Sequence, residues 1–154
     1  MRPEPWNFEI EREYHQRFSG AIEQWLDAGY GACLLRRPDF AQIVAETLRH
    51  FEGERVAMIS FTVMPNHVHA LFVQNPASPL EKLLQSWKRF TTREINKLLD
   101  RTGNLWQRDY FDRLVRDEKH FANCVRYIRR NPEKAKLVPR EFILWESQTA
   151  RGIC

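Results

Sequence analysis

The spacing of hydrophobic positions changes several times along the chain, and each change marks a predicted element. From Phe8 to Asp27, the residues Phe8, Ile10, Tyr14, Phe18, Ala21, Ile22, Trp25 and Leu26 recur at three- and four-residue steps among polar neighbours. This is the spacing of an amphipathic helix, ended by Gly29 and Gly31. Asp39 opens a second helix to about Phe51; Pro38 precedes it, and Asp39 with Gln42 three residues on resembles a capping box. The stretch Val56–Val63 then reads as a strand, Met64-Pro65-Asn66 supplies turn chemistry, and His67–Gln74 reads as a second strand, so a hairpin is expected. Ser78-Pro79-Leu80-Glu81 offers a cap, a proline at the first helical position and a glutamate at the third, which predicts a helix to about Leu99, with Gly103 beyond it. Leu105–Val115 is aromatic and extended or looped. Asp117–Arg130 is a further helix, stopped by Pro132 because the residue before a proline is pushed out of helical geometry. Pro139–Cys154 is a short tail with Phe142, Leu144 and Trp145 available for packing.

Composition bounds what these elements can build. The chain has 154 residues, 43% hydrophobic and 29% charged, which suits one compact globular domain. Five Trp and ten Phe can fill a core without disulfide staples. No apolar run approaches the roughly 20 residues of a membrane span, and Met1-Arg2-Pro3-Glu4-Pro5 lacks the apolar stretch of a secretory signal. Cys33, Cys124 and Cys154 are odd in number and widely spaced, so neither a disulfide framework nor a cysteine-based zinc site is expected. The reading is a reduced, cytoplasmic protein with no membrane partner.

Charge changes the picture through its distribution. The net charge is only +4, yet residues 1–80 carry a net −3, residues 81–140 a net +8 and residues 141–154 a net −1. A basic block of this size points to a polyanion or to a solvated lysine and arginine surface.

His67-Val68-His69 is the most informative tripeptide. On a strand, residues two apart share a face, so the two imidazoles can hold one divalent cation, or can stand as surface polar residues of a hairpin. Tyr127 and Asn131 are four apart on the last long helix and share one of its faces. A carboxamide there can supply an oxygen ligand and a phenol a nucleophile. Phenols ionise only near pH of about 10, so the nucleophile needs a polarised phosphate as electrophile. The plainer alternatives are a buried helix aromatic for Tyr127 and a helix-ending residue for Asn131.

Three motifs in order, MPNHVHALFV (Met64–Val73), LWQRDYFDRLVRDEKHF (Leu105–Phe121) and YIRRNPEKAKLV (Tyr127–Val138), resemble the REP-associated tyrosine transposases, within the single-tyrosine transposases of the HUH nucleases. The resemblance covers somewhat more than half of the chain. It implies an α+β, ferredoxin-like antiparallel sheet with helices packed on it. It also implies a single domain over 1–154, with a divergent helical region over 1–38 and a catalytic core over 55–138. It assigns His67, His69 and Asn131 to a divalent metal, Mn²⁺ or Mg²⁺, and Tyr127 to nucleophilic attack. Two departures stand out. Family members usually begin with a strand rich in His and Arg, whereas Tyr14-His15-Gln16-Arg17 lies in a stretch that reads as helix, which leaves the order of the sheet open. The usual Ala-Gly-Leu after Asn-Pro is Ala135-Lys136-Leu137 here.

The implied activity is that of a single-stranded DNA endonuclease and strand transferase forming a 5′-phosphotyrosine, beside hairpin DNA, as monomer or homodimer. A non-catalytic hairpin-binding regulator is the alternative. The basic block then has a use. Arg89, Arg93 and Lys97 recur at four-residue steps on the helix Ser78–Leu99, with Lys82 and Lys88 nearby, and such a stripe can track phosphates. Arg113 and Arg116 are further candidates to face DNA, and Trp106, Tyr110 and Phe111 are candidates to stack bases or to fill the core. His15, His50 and His120 receive no role.

Overall fold

The computed structural model describes residues 21–28 and 33–154, with the side chains of Asp109 and Tyr110 outside the description. Its elements are β1 (Ala21–Ala28), α1 (Pro38–His50), β2 (Val56–Met64), β3 (His67–Gln74), α2 (Leu80–Leu99), β4 (Trp106–Leu114), α3 (Glu118–Lys134), β5 (Ile143–Glu146) and the single turn α4 (Gln148–Arg151). The five strands form one sheet in the order β4-β1-β3-β2-β5, with every neighbouring pair antiparallel. This is the α+β sheet with packed helices that the motifs imply.

The sheet separates two cores. On one face, α1 contributes Phe40, Val44 and Leu48, and α2 contributes Leu83, Trp87 and Ile95, to a core with Ile22, Leu26, Phe61, Val68 and Phe72. Trp87 meets Phe72 edge-on, with ring centroids 5.4 Å apart. On the other face, α3 places Phe121, Cys124, Val125 and Ile128 over Ile59, Leu71 and Val73. No helix among the described residues is long and apolar enough to cross a membrane.

Four sequence expectations are corrected. The expected helix over residues 8–27 lies outside the described residues up to residue 20, as do His15, Gly29 and Gly31, and from Ala21 the chain is strand. Ala21, Ile22, Trp25 and Leu26 suit either period, and hydrogen bonding to a strand on each side decides for the sheet. At α1, Pro38 occupies the first turn, so Asp39 falls inside the helix. Its carboxylate accepts from the N–H of Phe40 and pairs with Arg37 instead of capping. Ser78 does not cap α2, which has Pro79 at that position; Ser78 Oγ accepts from Arg55 Nε at 2.8 Å.

The fourth correction bears on the site. Pro132 does not stop α3, which runs to Lys134 with Pro132 buried in its last turn. The helix forgoes only the one bond that a proline nitrogen cannot donate, so Asn131 stays helical. Asp117 caps the other end, accepting from the N–H of His120 at 2.7 Å. The tail, expected only to pack, adds β5 to the edge of β2.

Candidate active site

The hairpin places the two histidines. Met64 pairs with His67 across the two-residue turn Pro65-Asn66, and His67 and His69 then point to the α3 face of the sheet while Val68 enters the α1–α2 core. On the neighbouring strand, Trp25 lies opposite His69 and Asp27 opposite His67, so Glu23, Trp25 and Asp27 share the histidines' face. Trp25 stacks on His69 with centroids 4.2 Å apart and planes 21° apart.

Helix α3 brings the tyrosine. Its apolar stripe faces the sheet, and Tyr127 sits at the border of that stripe, 44% exposed, with its ring 5.3 Å from the His69 ring in an edge-to-face arrangement. Asn131 follows one turn later and is half-buried. Arg129 anchors this part of the helix, donating to Glu146 of β5 at 2.8 Å and to the carbonyls of Ile153 and Ala150. The structure thus brings Tyr127 onto His69, about sixty positions away in sequence, on the strand that also bears His67.

A further residue is found by the structure alone. Glu23 is 2% exposed. Its Oε2 lies 3.2 Å from His69 Nε2, and its Oε1 accepts from Arg113 Nε at 3.0 Å and Nη2 at 2.6 Å. Burial alone would raise the Glu23 pKa, but hydrogen bonds from His69, Arg113 and Cys124 outweigh it and hold the carboxyl down at about 2. His69 moves down from its ordinary value because burial outweighs the attraction of Glu23, and His67 moves down through burial despite Asp27. Both imidazoles are therefore neutral at physiological pH.

Glu23, His120 and Cys124 hold ligand atoms within 4.8 Å of one another, but their chemistry is that of donors around one carboxylate. His120 Nδ1 accepts from the N–H of Arg116, which leaves its Nε2 as the protonated nitrogen 3.8 Å from Glu23 Oε1. Burial pushes the Cys124 thiol well above its usual range, so it too stays protonated. The Arg113 guanidinium also sits on Oε1, so this carboxylate is surrounded by donors.

The basic candidates divide between the two faces. Lys82, Lys88, Arg89, Arg93 and Lys97 lie on α2, on the opposite side of the sheet from Tyr127. Lys82, Arg89, Arg93 and Lys97 are exposed, while Lys88 is half-buried and donates to the carbonyl of Gln107 at 3.3 Å. Arg93 and Lys97 share Glu94, at 3.4 and 3.3 Å. Lys88, Arg89 and Arg93 line a groove of about 1150 Å³ along β4 with Trp106 and Arg108, the latter a cation missed in the sequence. Arg113 is on the Tyr127 face, where Glu23 already engages it. Arg116 is exposed beyond β4. Of the aromatic candidates, Trp106 is buried and donates to Thr91 Oγ1 at 2.8 Å, whereas Phe111 is 54% exposed and meets Trp25 edge-on at 4.8 Å.

Comparison with known proteins bears on the family and the fold. A curated protein of Haemophilus influenzae named "Putative REP-associated tyrosine transposase" is 29% identical over 106 residues, covering 62% of this chain and 58% of the relative. An uncharacterized protein of the same organism is 26% identical over 113 residues, covering 60% of this chain and 57% of its own. The chain thus spans less than two thirds of the length of these curated relatives. Among solved structures, one described as "Structure of the REP associates tyrosine transposase bound to a REP hairpin" shares the fold with a TM-score of 0.66 at 18% identity, over 78% of this chain and 70% of that one. A second, described as a "putative transposase" from Deinococcus radiodurans, has a TM-score of 0.54 at 22% identity, over 71% of this chain and 88% of that one. The family described as "Transposase IS200 like" matches residues 36–131, and the chain belongs to this IS200-like transposase family.

Proposed function

We propose that the chain is a metal-dependent single-stranded DNA endonuclease and strand transferase that acts at hairpin-containing repeat DNA through Tyr127. The observation that carries this reading is the half-exposed Tyr127 ring against His69 on the strand that also bears His67. The hairpin substrate is suggested by the solved relative of the same fold, a transposase bound to a REP hairpin.

The donor set suits a divalent ion held by His67, His69 and Asn131. Both imidazoles are neutral, as metal binding requires. Among the described residues, His69 Nδ1 is buried with no hydrogen-bond partner, as is Thr62 Oγ1 at the paired position of β2. His67 Nδ1 lies 2.9 Å from Asn66 Oδ1, an acceptor, which leaves His67 Nε2 for a ligand. When bound, such an ion would polarise a non-bridging phosphate oxygen and neutralise its charge; mixed imidazole and amide ligands suit Mn²⁺ or Mg²⁺.

Tyr127 Oη attacks the scissile phosphorus, forming an O–P bond as the bond to the 3′ oxygen breaks. The phenol proton passes to water, and the departing 3′ oxygen takes one up as a hydroxyl. The product is a 5′-phosphotyrosine that a later 3′-OH can reverse, joining strands without a nucleotide cofactor. Trp25 and Tyr127 border His69 and restrict its ring, and exposed Phe111 beside Trp25 offers a base a face to stack on.

The test is cleavage of a labelled single-stranded hairpin oligonucleotide with Mn²⁺. Excess EDTA and the substitution His67→Ala should each lower cleavage by at least about 100-fold, the scale of losing a ligand or its support. Undiminished cleavage in EDTA would remove the metal from the reaction. Binding without any cleavage under all conditions would favour the regulatory alternative.

The groove beside α2 is the proposed phosphate path on the other face. Changing Arg89, Arg93 and Lys97 together to Ala should flatten the salt dependence of single-strand binding, reducing the log–log slope by roughly 2, at about 0.7 for each phosphate neutralised. An unchanged slope would clear the stripe of phosphate contact.

A further inference from the structure

Glu23 takes no part in the chemistry above, yet it is a charged side chain buried at the base of the site. We propose that Glu23 is a positioning residue for His69: it fixes the imidazole in the Nε2–H tautomer and so presents Nδ1 as the metal-binding nitrogen, with Arg113 holding the carboxylate in place. The proposal rests on the metal reading of His67, His69 and Asn131.

Hydrogen-bonding capacity decides the tautomer. Two N–H groups of Arg113 on Oε1 mark Glu23 as a carboxylate, which only accepts hydrogen bonds, so the ring nitrogen 3.2 Å from Oε2 is the donor. In a neutral imidazole the other nitrogen then carries the lone pair. The two nitrogens lie on opposite edges of the ring, so the edge facing Glu23 on β1 directs Nδ1 away from it. Among the described residues that atom is buried without a partner, as a nitrogen awaiting a ligand would be.

Rotation of the ring would undo this choice, and the surroundings oppose it. Trp25 lies nearly parallel to the imidazole at 4.2 Å, and Tyr127 closes on it from α3 at 5.3 Å. Glu23 cannot turn away either, because Arg113 takes its Oε1 with two N–H groups. The chain Arg113–Glu23–His69 has the form in which carboxylates orient metal-binding histidines, and removing such a partner costs roughly 10- to 100-fold in metal affinity.

The experiment uses the full chain and needs no variant for its first part. Long-range ¹H–¹⁵N NMR of the metal-free protein reads each histidine's tautomer, with His69 assigned by comparison with His69→Asn. His69 is expected wholly as Nε2–H. In Glu23→Gln the carboxamide can donate as well as accept, so the fixed tautomer should give way to a mixture, while His67 keeps its own as an internal control. Mn²⁺ titrations followed by electron paramagnetic resonance should show Glu23→Gln binding roughly 10- to 100-fold more weakly than wild type. A wild-type His69 carrying its proton on Nδ1 would overturn the proposal, and so would a folded Glu23→Gln variant with unchanged Mn²⁺ affinity. A wild type that binds no Mn²⁺ would instead overturn the metal reading itself, and the proposal with it, even where the tautomer is as expected.

Discussion

Tyr127→Phe should leave no denaturation-resistant protein–DNA adduct while binding the same oligonucleotide within about twofold of wild type. The substitution removes only the hydroxyl. The ring stays, and with it the edge-to-face contact with His69, an arrangement worth about 0.5–1.5 kcal/mol. Because Tyr127 is 44% exposed, its hydroxyl can be solvated in either state, and its loss should cost less than about 1 kcal/mol of stability. Tyr127→Ala should also lose the adduct, but it uncovers the buried His69 ring and should lower stability measurably. A denaturing gel of end-labelled single-stranded hairpin DNA with Mn²⁺ reads the adduct directly. A persistent adduct in Tyr127→Phe would move the nucleophile to another residue.

The second large effect concerns stability against acid. The Glu23 carboxyl has a pKa of about 2 in the folded chain, below its ordinary 4.5, so the unfolded chain binds the extra proton between these values. Stability from this group is therefore present in full above pH of about 4.5 and is lost as pH falls toward 2, on the order of 3 kcal/mol in total. The two site histidines act in the same direction at higher pH. Their folded values lie below 6.5, so stability begins to decline as pH falls below that point. Denaturant unfolding measured from pH 7 to pH 2 should show the decline in wild type, and Glu23→Gln should lack its lower segment while starting on the order of 3 kcal/mol less stable. Parallel curves for the two proteins would mean that Glu23 is not held ionised by the fold.

How much of this was legible beforehand depends on how far apart the partners lie in sequence. The hairpin could be read locally: two β-rich runs flank a turn signal, and alternation puts His67 and His69 on one face. Tyr127 and Asn131 were likewise readable as one helix face, although the proline after Asn131 argued for an end that the last turn absorbs. The strand β1 was not legible, because Ala21-Ile22-Glu23-Gln24-Trp25-Leu26 satisfies both periods, and as a helix it would send Glu23 to solvent. Only pairing with β3 and β4 turns that glutamate inward, and its partner Arg113 lies 90 positions away. For the same reason Arg113 read as a free cation for DNA, whereas the fold commits it to Glu23. The α2 stripe was readable as one exposed face, but nothing local tells on which side of the sheet a helix packs.

β4 is an edge strand, hydrogen-bonded to β1 alone within the described sheet, and it carries Arg113. Strands held on one side open locally at a fraction of the global unfolding cost. When β4 frays, Glu23 loses its guanidinium while β1, β2 and β3 remain paired. The ion pair of the buried Glu23 carboxylate is thus only as durable as the protection of β4 amides against solvent exchange.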